Sequence, residues 1–139
     1  MHELVRHAAE ARRQAYAPYS GYKVGACVLG SNGRLYMGCN VENISYGLTI
    51  CAERSAITAM VLAGCVEILE VAVVTRDGGT PCGACLQVIA EFAFKIEHVK
   101  VHCATEDGVM QTYDLKELLP HGFSSGEVRQ NETDTRQSE

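Results

Sequence analysis

Two short motifs carry the residues whose types and spacing could do chemistry. The first is Cys51-Ala52-Glu53 and the second is Pro81-Cys82-Gly83-Ala84-Cys85. Each stands where a helical pattern begins, and the amides and dipole of a helix N-terminus stabilise thiolates. Taken alone, the paired cysteines fit a redox pair, half of a zinc site or a chance spacing, and Glu53 fits a residue that only complements the helix dipole. Together the two motifs form a far more restrictive pattern than either does alone.

The number of cysteines limits what they can do. The chain has seven, and its first sixteen residues alternate charge with alanine, which is not the pattern of an export signal. An odd count without an export signal argues against a disulfide framework and favours free thiols in a reducing cytoplasm. We expect Cys27, Cys39, Cys65 and Cys103 to pack as small apolar residues. Any one of them could still be a fourth metal ligand, which would turn an open site into a closed structural one.

Length and charge narrow the class of partner. A chain of 139 residues suits a single domain. Its 12 basic and 17 acidic residues give a net charge of −5, whereas proteins that coat nucleic acids carry a basic excess. No apolar run approaches the roughly 18 residues that a membrane span needs. We therefore expect a cytoplasmic protein that binds a small molecule and neither a nucleic-acid polymer nor a membrane.

The periodicity of apolar residues predicts nine elements in the order α-β-β-α-β-α-β-β-α. Such an order predicts an α/β fold with three layers, α/β/α, in which helices cover both faces of one mixed sheet of about five strands. We expect one catalytic domain over residues 1–123 and a polar, flexible tail over residues 124–139. The predicted helices are 2–16, 51–63, 82–94 and 114–119, the predicted strands are 22–29, 34–39, 68–75, 99–104 and 109–113, and 40–50 is a predicted loop.

The paired motifs resemble the signature of zinc-dependent deaminases, in the variant with three cysteine ligands. More specifically, the chain is similar to the small homotetrameric cytidine deaminases from about residue 17 to residue 123. The matching blocks are VGA at 24–26, NVEN at 40–43, CAER at 51–54 and PCGAC at 81–85. The resemblance implies hydrolytic deamination of free cytidine and 2′-deoxycytidine to uridine and 2′-deoxyuridine, as in pyrimidine salvage. It also implies a homotetramer with shared active sites.

The resemblance also assigns the chemistry. One Zn²⁺ per subunit would be held by Cys51, Cys82 and Cys85, which leaves one tetrahedral position for water. Glu53 would be the proton carrier and not a ligand, acting first as base and then as acid. Arg54 would hydrogen-bond a thiolate and so offset part of its charge.

Six residues are implied to bind the substrate. Asn40 and Glu42 alternate on an extended segment and so project to one side; the resemblance implies that they hold the ribose 3′-hydroxyl, although such residues at a strand end are commonly solvated. Tyr22 would lie beside the pyrimidine, and Tyr46 and Phe123 would act from a neighbouring subunit. The set is Asn40, Glu42, Tyr22, Ala52, Tyr46 and Phe123.

Two departures from the family pattern leave other substrates open. Tyr22-Lys23 stands where Phe-Pro is usual, and Leu86 stands where arginine is common, so a modified or antibiotic cytosine nucleoside is an alternative. A polynucleotide-editing deaminase would need a basic channel that this acidic chain lacks. A non-catalytic zinc-stabilised interaction module predicts four protein ligands. A thiol-redox protein would leave Cys51 and Glu53 unexplained.

Overall fold

A computed structural model describes residues 1–123, and the expected tail at 124–139 lies outside the described residues. The nine predicted helices and strands all form, in the predicted order, and a single 3-10 turn (Tyr46–Leu48) lies in the predicted loop. The helices are α1 (Glu3–Arg12), α2 (Ala52–Leu62), α3 (Gly83–Phe92) and α4 (Leu115–Leu118), and the strands are β1 (Gly25–Gly30), β2 (Leu35–Cys39), β3 (Ile68–Val74), β4 (Lys100–Ala104) and β5 (Met110–Asp114).

The strands form one mixed sheet in the order β2-β1-β3-β4-β5. Only β3 and β4 pair in parallel, because α3 crosses over between them. Ala72 and Ala104 pack against α1 on one face, whereas Val73 and Cys103 pack on the other face with α2, α3 and α4. The prediction of a three-layer α/β fold with five strands is confirmed. Among residues 1–123, no helix has the length and apolarity needed to cross a bilayer.

Two glycines let helices approach the sheet closely. A Cβ on Gly25 would lie 1.9 Å from the carbonyl oxygen of Ala8, so α1 rests directly on β1. On the opposite face, a Cβ on Gly38 would lie 2.5 Å from the carbonyl oxygen of Ala52. Because Ala52 is the first residue of α2, Gly38 fixes where the Cys51-Ala52-Glu53 motif lies relative to the sheet.

The first helix is shorter than predicted, because it ends at Arg12 and not near residue 16. The Tyr16 amide donates to the Asn40 carbonyl at 3.0 Å, and the Glu42 amide donates to the Tyr16 carbonyl at 2.8 Å. Tyr16 is therefore held in an extended pairing with the 40–42 segment. That long-range pairing overrides the local helical pattern.

The first strand begins at Gly25 and not at Tyr22. The Asn40 side chain accounts for the difference: its Nδ2 donates to the Tyr22 carbonyl at 2.8 Å, and its Oδ1 accepts from the Val24 amide at 2.9 Å. An amide side chain therefore replaces a neighbouring strand along this segment. The other predicted boundaries lie within two residues of those in the structure.

Candidate active site

Three cysteine side chains meet where two helices begin. Cys51 immediately precedes α2 and Cys82 immediately precedes α3, while Cys85 lies in the first turn of α3. The backbone carbonyls of Cys51 and Cys82 accept the first helical hydrogen bonds, from Ser55 and Leu86. Neither cysteine side chain caps its own helix, so both sulfurs are free for ligation. The three sulfur atoms lie within 4.8 Å of one another.

The chemistry of this three-cysteine cluster fits Zn²⁺. Thiolates are soft ligands that select zinc over magnesium or calcium, and two helix N-termini stabilise negative charge on the sulfurs. Hydrogen bonds from Cys85 and then from Arg54 lower the pKa of Cys51 to about 5. Within residues 1–123, no fourth histidine, cysteine or carboxylate side chain lies within 4.8 Å of all three sulfurs. Three protein ligands and one open position are typical of catalytic zinc sites, whereas structural sites have four protein ligands.

Glu53 lies beside the cluster, in the first turn of α2, with only 4% of its surface exposed. Burial raises the pKa of Glu53, and hydrogen bonds from its own backbone amide and from Cys85 partly oppose the rise. A carboxyl group whose pKa is raised towards the working pH is suited to proton transfer in both directions.

Arg54 also contacts the three-cysteine cluster, through Cys51. Its Nη2 lies 3.6 Å from the Cys51 sulfur and 3.3 Å from the Thr49 carbonyl. Its Nε is buried without a hydrogen-bond partner. The guanidinium therefore brings positive charge to sulfurs that become anionic when they bind a metal.

A cavity of about 370 Å³ opens over the cluster, which is within the usual volume range of small-molecule sites. It brings Tyr22, Asn40, Glu42, Ala52 and Glu53 together, as expected from the sequence. The cavity is also lined by residues that were not predicted to belong to the site: Ser20, Val24, Thr49, Thr75 and Thr80.

Asn40 and Glu42 are held by hydrogen bonds within the protein. Both polar atoms of the buried Asn40 side chain bind the backbone of residues 22 and 24. Glu42 accepts from the Tyr19 amide at 2.9 Å, the Ser20 amide at 3.1 Å and the Ser20 hydroxyl at 2.5 Å. The Ser20 hydroxyl, followed by these amides, lowers the pKa of Glu42. The pair thus shapes the 19–24 loop, and only its remaining lone pairs and one amide hydrogen are left for a ligand.

Tyr22 is fixed by a network in the loop that precedes α3. Its hydroxyl donates to Asp77 Oδ1 at 2.7 Å, and the Arg76 guanidinium carbon lies 5.0 Å from the centre of its ring. Asp77 also accepts from the Thr75 hydroxyl and the Gly79 amide, both at 3.1 Å. Sequence reasoning missed Asp77, because an Arg-Asp-Gly-Gly run carries no signal beyond that of a surface loop.

Two of the predicted substrate-binding residues, Tyr46 and Phe123, lie outside this cavity, and so does Leu86, which departs from the family pattern. Tyr46 is 74% exposed and Phe123 is 80% exposed. The Tyr46 ring contacts the Tyr19 ring edge-on, with 5.9 Å between the ring centres. Gln87 holds the Phe123 backbone: its Nε2 donates to the Phe123 carbonyl at 2.7 Å, and its Oε1 accepts from the Phe123 amide at 3.0 Å. Leu86 packs in the apolar core between the sheet and α2. The Leu86 side chain therefore contributes to the stability of the core, whereas an arginine at this position would bring a positive charge to it.

Known proteins are similar to this chain in sequence and in fold. The sequence model of the cytidine and deoxycytidylate deaminase zinc-binding region matches residues 1–103. The chain is 40% identical to a cytidine deaminase from Halalkalibacterium halodurans, over 90% of this chain and 95% of that protein. It is 46% identical to one from Mycobacterium tuberculosis, over 84% of each chain. A crystal structure of cytidine deaminase from Burkholderia pseudomallei superimposes with a TM-score of 0.80 at 40% identity, covering 88% of this chain and all of that one. The chain therefore belongs to the cytidine and deoxycytidylate deaminase family.

Proposed function

We propose that this protein catalyses the hydrolytic deamination of free cytidine and 2′-deoxycytidine, releasing ammonia. The observation that carries the proposal is a buried carboxyl group, Glu53, beside three convergent cysteine sulfurs, at a cavity of about 370 Å³ that Cys51, Glu53 and Cys82 line. A redox protein has no use for a third sulfur and an adjacent buried acid. A structural zinc module would place a fourth protein ligand at the cluster.

Cys51, Cys82 and Cys85 hold the metal in this proposal. Zinc bound there supplies Lewis acidity that makes water a nucleophile near neutral pH. Arg54 and the two helix N-termini stabilise the sulfurs as thiolates, because each places positive charge or amide hydrogens beside them.

Glu53 moves the protons. Its carboxylate accepts a proton from the attacking water and delivers a proton to ring nitrogen N3, which makes C4 more electrophilic. The oxygen of the deprotonated water bonds to C4. Glu53 then takes the remaining proton of that oxygen and delivers it to the exocyclic amine, so that C4 becomes a carbonyl carbon, the C4–N bond breaks and ammonia leaves. Burial keeps bulk water from competing for these protons, and the raised pKa of Glu53 lowers the cost of its protonated state.

Asn40 and Glu42 orient the sugar, and Ala52 and Tyr22 contact the base. The remaining acceptor position of Glu42 and the free amide hydrogen of Asn40 are suited to a single hydroxyl group such as the ribose 3′-hydroxyl. A grip of that kind accepts cytidine and 2′-deoxycytidine alike. The net charge of −5 favours a free nucleoside over a strand of nucleic acid.

The site is completed by self-association, in a homotetramer. A monomer would leave large apolar side chains in water, among them Ile44 (80% exposed), Leu62 at the end of α2 (89%) and Phe123 (80%). Tyr46 and Phe123 then contact a neighbouring subunit's substrate. Phe123→Ala should reduce activity while its zinc content stays at one per subunit, and a fully active monomer in sedimentation analysis would overturn this part of the proposal.

The cytoplasm is the compartment that suits three reduced cysteine ligands.

The direct test is the fall in ultraviolet absorbance of cytidine, measured with and without a chelator that removes zinc. We expect turnover that the chelator abolishes and that added Zn²⁺ restores. A protein that contains zinc but releases no ammonia from cytidine, 2′-deoxycytidine or N4-modified cytidines would contradict the proposal. A preference for the modified nucleosides would identify the alternative substrate.

A further inference from the structure

A second group of metal-ligating side chains lies on the face of the sheet opposite the three-cysteine cluster. It consists of His2, Glu70 and His102, whose ligand atoms all lie within 4.8 Å of one another. Glu70 and His102 stand two residues before Ala72 and Ala104, which pack against α1, so all four side chains share that face. His2 caps the start of α1. The group therefore joins three parts of the chain that are far apart in sequence.

His102 is the anchor of this group, since only 7% of its side chain is exposed. Its Nε2 lies 2.9 Å from Glu70 Oε1, and its Nδ1 lies 2.8 Å from the Thr112 hydroxyl on β5. A histidine that ligates a metal usually has its second ring nitrogen held by an oxygen, which fixes both the tautomer and the ring orientation. Thr112 does this for His102 and leaves Nε2 directed at Glu70.

His2 brings a second imidazole to the same point. Its ring centre lies 4.3 Å from that of His102, at an interplanar angle of 39°. The Nδ1 of His2 accepts a hydrogen bond from the Leu4 amide at 3.1 Å. A metal bound through Nε2 would leave the ring proton on Nδ1 and so end this cap. Because His2 is only half-buried, water can replace it as the partner of the Leu4 amide, and the metal bond outweighs the single hydrogen bond lost.

We propose that His2, Glu70 and His102 form a second binding site, for a divalent transition-metal ion such as Zn²⁺. Two imidazoles and one carboxylate suit zinc, cobalt or nickel, whereas calcium and magnesium take oxygen ligands. An ion between Nε2 of His102 and the Glu70 carboxylate takes the place of the proton that they share without metal. The site is structural, because it ties the start of α1 to β3 and β4 and lies on the face away from the cavity.

The test is a titration of the protein without a tag at its N-terminus and with its three-cysteine site already filled with zinc. Calorimetry with Zn²⁺ should then detect one further equivalent, and the bound ion should raise the unfolding temperature. Co²⁺ bound in this second step should give the visible bands of a nitrogen and oxygen site. It should lack the near-ultraviolet charge-transfer absorption of thiolate ligands.

Variants identify the ligands. Glu70→Gln and His2→Gln should each weaken the second equivalent by about tenfold or more, His102→Gln should abolish it, and all three should keep the first equivalent. His98→Gln is the matched control, since His98 is exposed and outside the group, and it should bind as the wild type does. His2 is half-buried at the start of α1, whereas His102 is buried in the sheet, so His2→Gln remains informative even if His102→Gln fails to fold. The proposal would be overturned if the wild type, with its three-cysteine site filled, took up no further zinc, or if the second equivalent survived His2→Gln unchanged.

Discussion

The Tyr22 hydroxyl donates a 2.7 Å hydrogen bond to Asp77, and this contact joins the two segments that flank the cavity. Tyr22 belongs to the 19–24 loop that Asn40 and Glu42 shape, whereas Asp77 belongs to the loop that leads to Cys82. The ring of Tyr22 lines the cavity, yet its hydroxyl is bound to Asp77. A tyrosine in place of the family's usual phenylalanine therefore adds a hydrogen bond that holds the aromatic ring in position beside the cavity.

Tyr22→Phe should raise KM for cytidine by about two- to tenfold, the equivalent of one net hydrogen bond, with little change in kcat. The reason is that the ring still fits the cavity but is less firmly held, while Glu53 and the cysteines are untouched. Asp77→Ala should give the same change in steady-state kinetics. An equal loss in kcat from both variants would show that the contact acts on the chemical step.

Tyr22→Phe should also raise the pKa of Asp77. The Tyr22 hydroxyl, and after it the Gly79 amide and the Thr75 hydroxyl, lower the pKa of this carboxyl group in the folded protein. A lowered pKa in the folded state gives stability that is fully present above the unfolded value of about 3.9. That stability is lost as the pH falls through the lowered value.

The measurement is a carboxyl NMR titration together with acid unfolding of both proteins. The Asp77 pKa should move up towards its ordinary value in Tyr22→Phe, and the variant should begin to unfold at a higher pH. Identical Asp77 titration curves in the two proteins would show that the contact is absent in solution.

Asn40→Ala should destabilise the zinc-loaded protein by about 2 kcal/mol, because it leaves the Val24 amide and the Tyr22 carbonyl without partners. Asn40→Asp should also destabilise the protein at neutral pH, because its carboxylate keeps an acceptor for the Val24 amide but cannot donate to the Tyr22 carbonyl. The free energy of unfolding in urea measures both. Wild-type stability in Asn40→Ala would mean that Asn40 serves the substrate alone.

Cys82→Ala should abolish zinc binding and turnover together, whereas Cys65→Ala should keep both. Cys82 supplies one of three ligands, while Cys65 is buried at the end of α2 and packs in the core. Metal analysis of the purified proteins, with activity measured on the same samples, checks the pair. Full zinc content in Cys82→Ala would remove Cys82 from the ligand set.

Local sequence predicted those parts of the molecule that depend on neighbouring residues. The two motifs could be placed at helix starts because the apolar periodicity indicates both helices, while Gly64 marks the end of one and Pro81 the start of the other. Such a placement brings Cys82 and Cys85 onto one turn. The five strands followed from the same periodicity, and the sheet with helices on both faces followed from their order.

The parts that the sequence did not predict depend on contacts between distant residues. The early end of α1 follows from Tyr16 pairing with residues 40 and 42, and the late start of β1 follows from the Asn40 side chain. The Asp77 contact with Tyr22 and the grouping of His2 with His102 are likewise set by tertiary packing. No local pattern in a single sequence encodes these pairings.

Zinc content and turnover measured together in Glu53→Gln test the central claim most directly. Glutamine keeps the size of the side chain but cannot carry the proton, and general acid–base catalysis contributes about 10²- to 10⁴-fold. We predict one zinc per subunit, as in the wild type, and cytidine turnover lower by at least about two orders of magnitude. Wild-type turnover in a zinc-loaded Glu53→Gln protein would contradict the account.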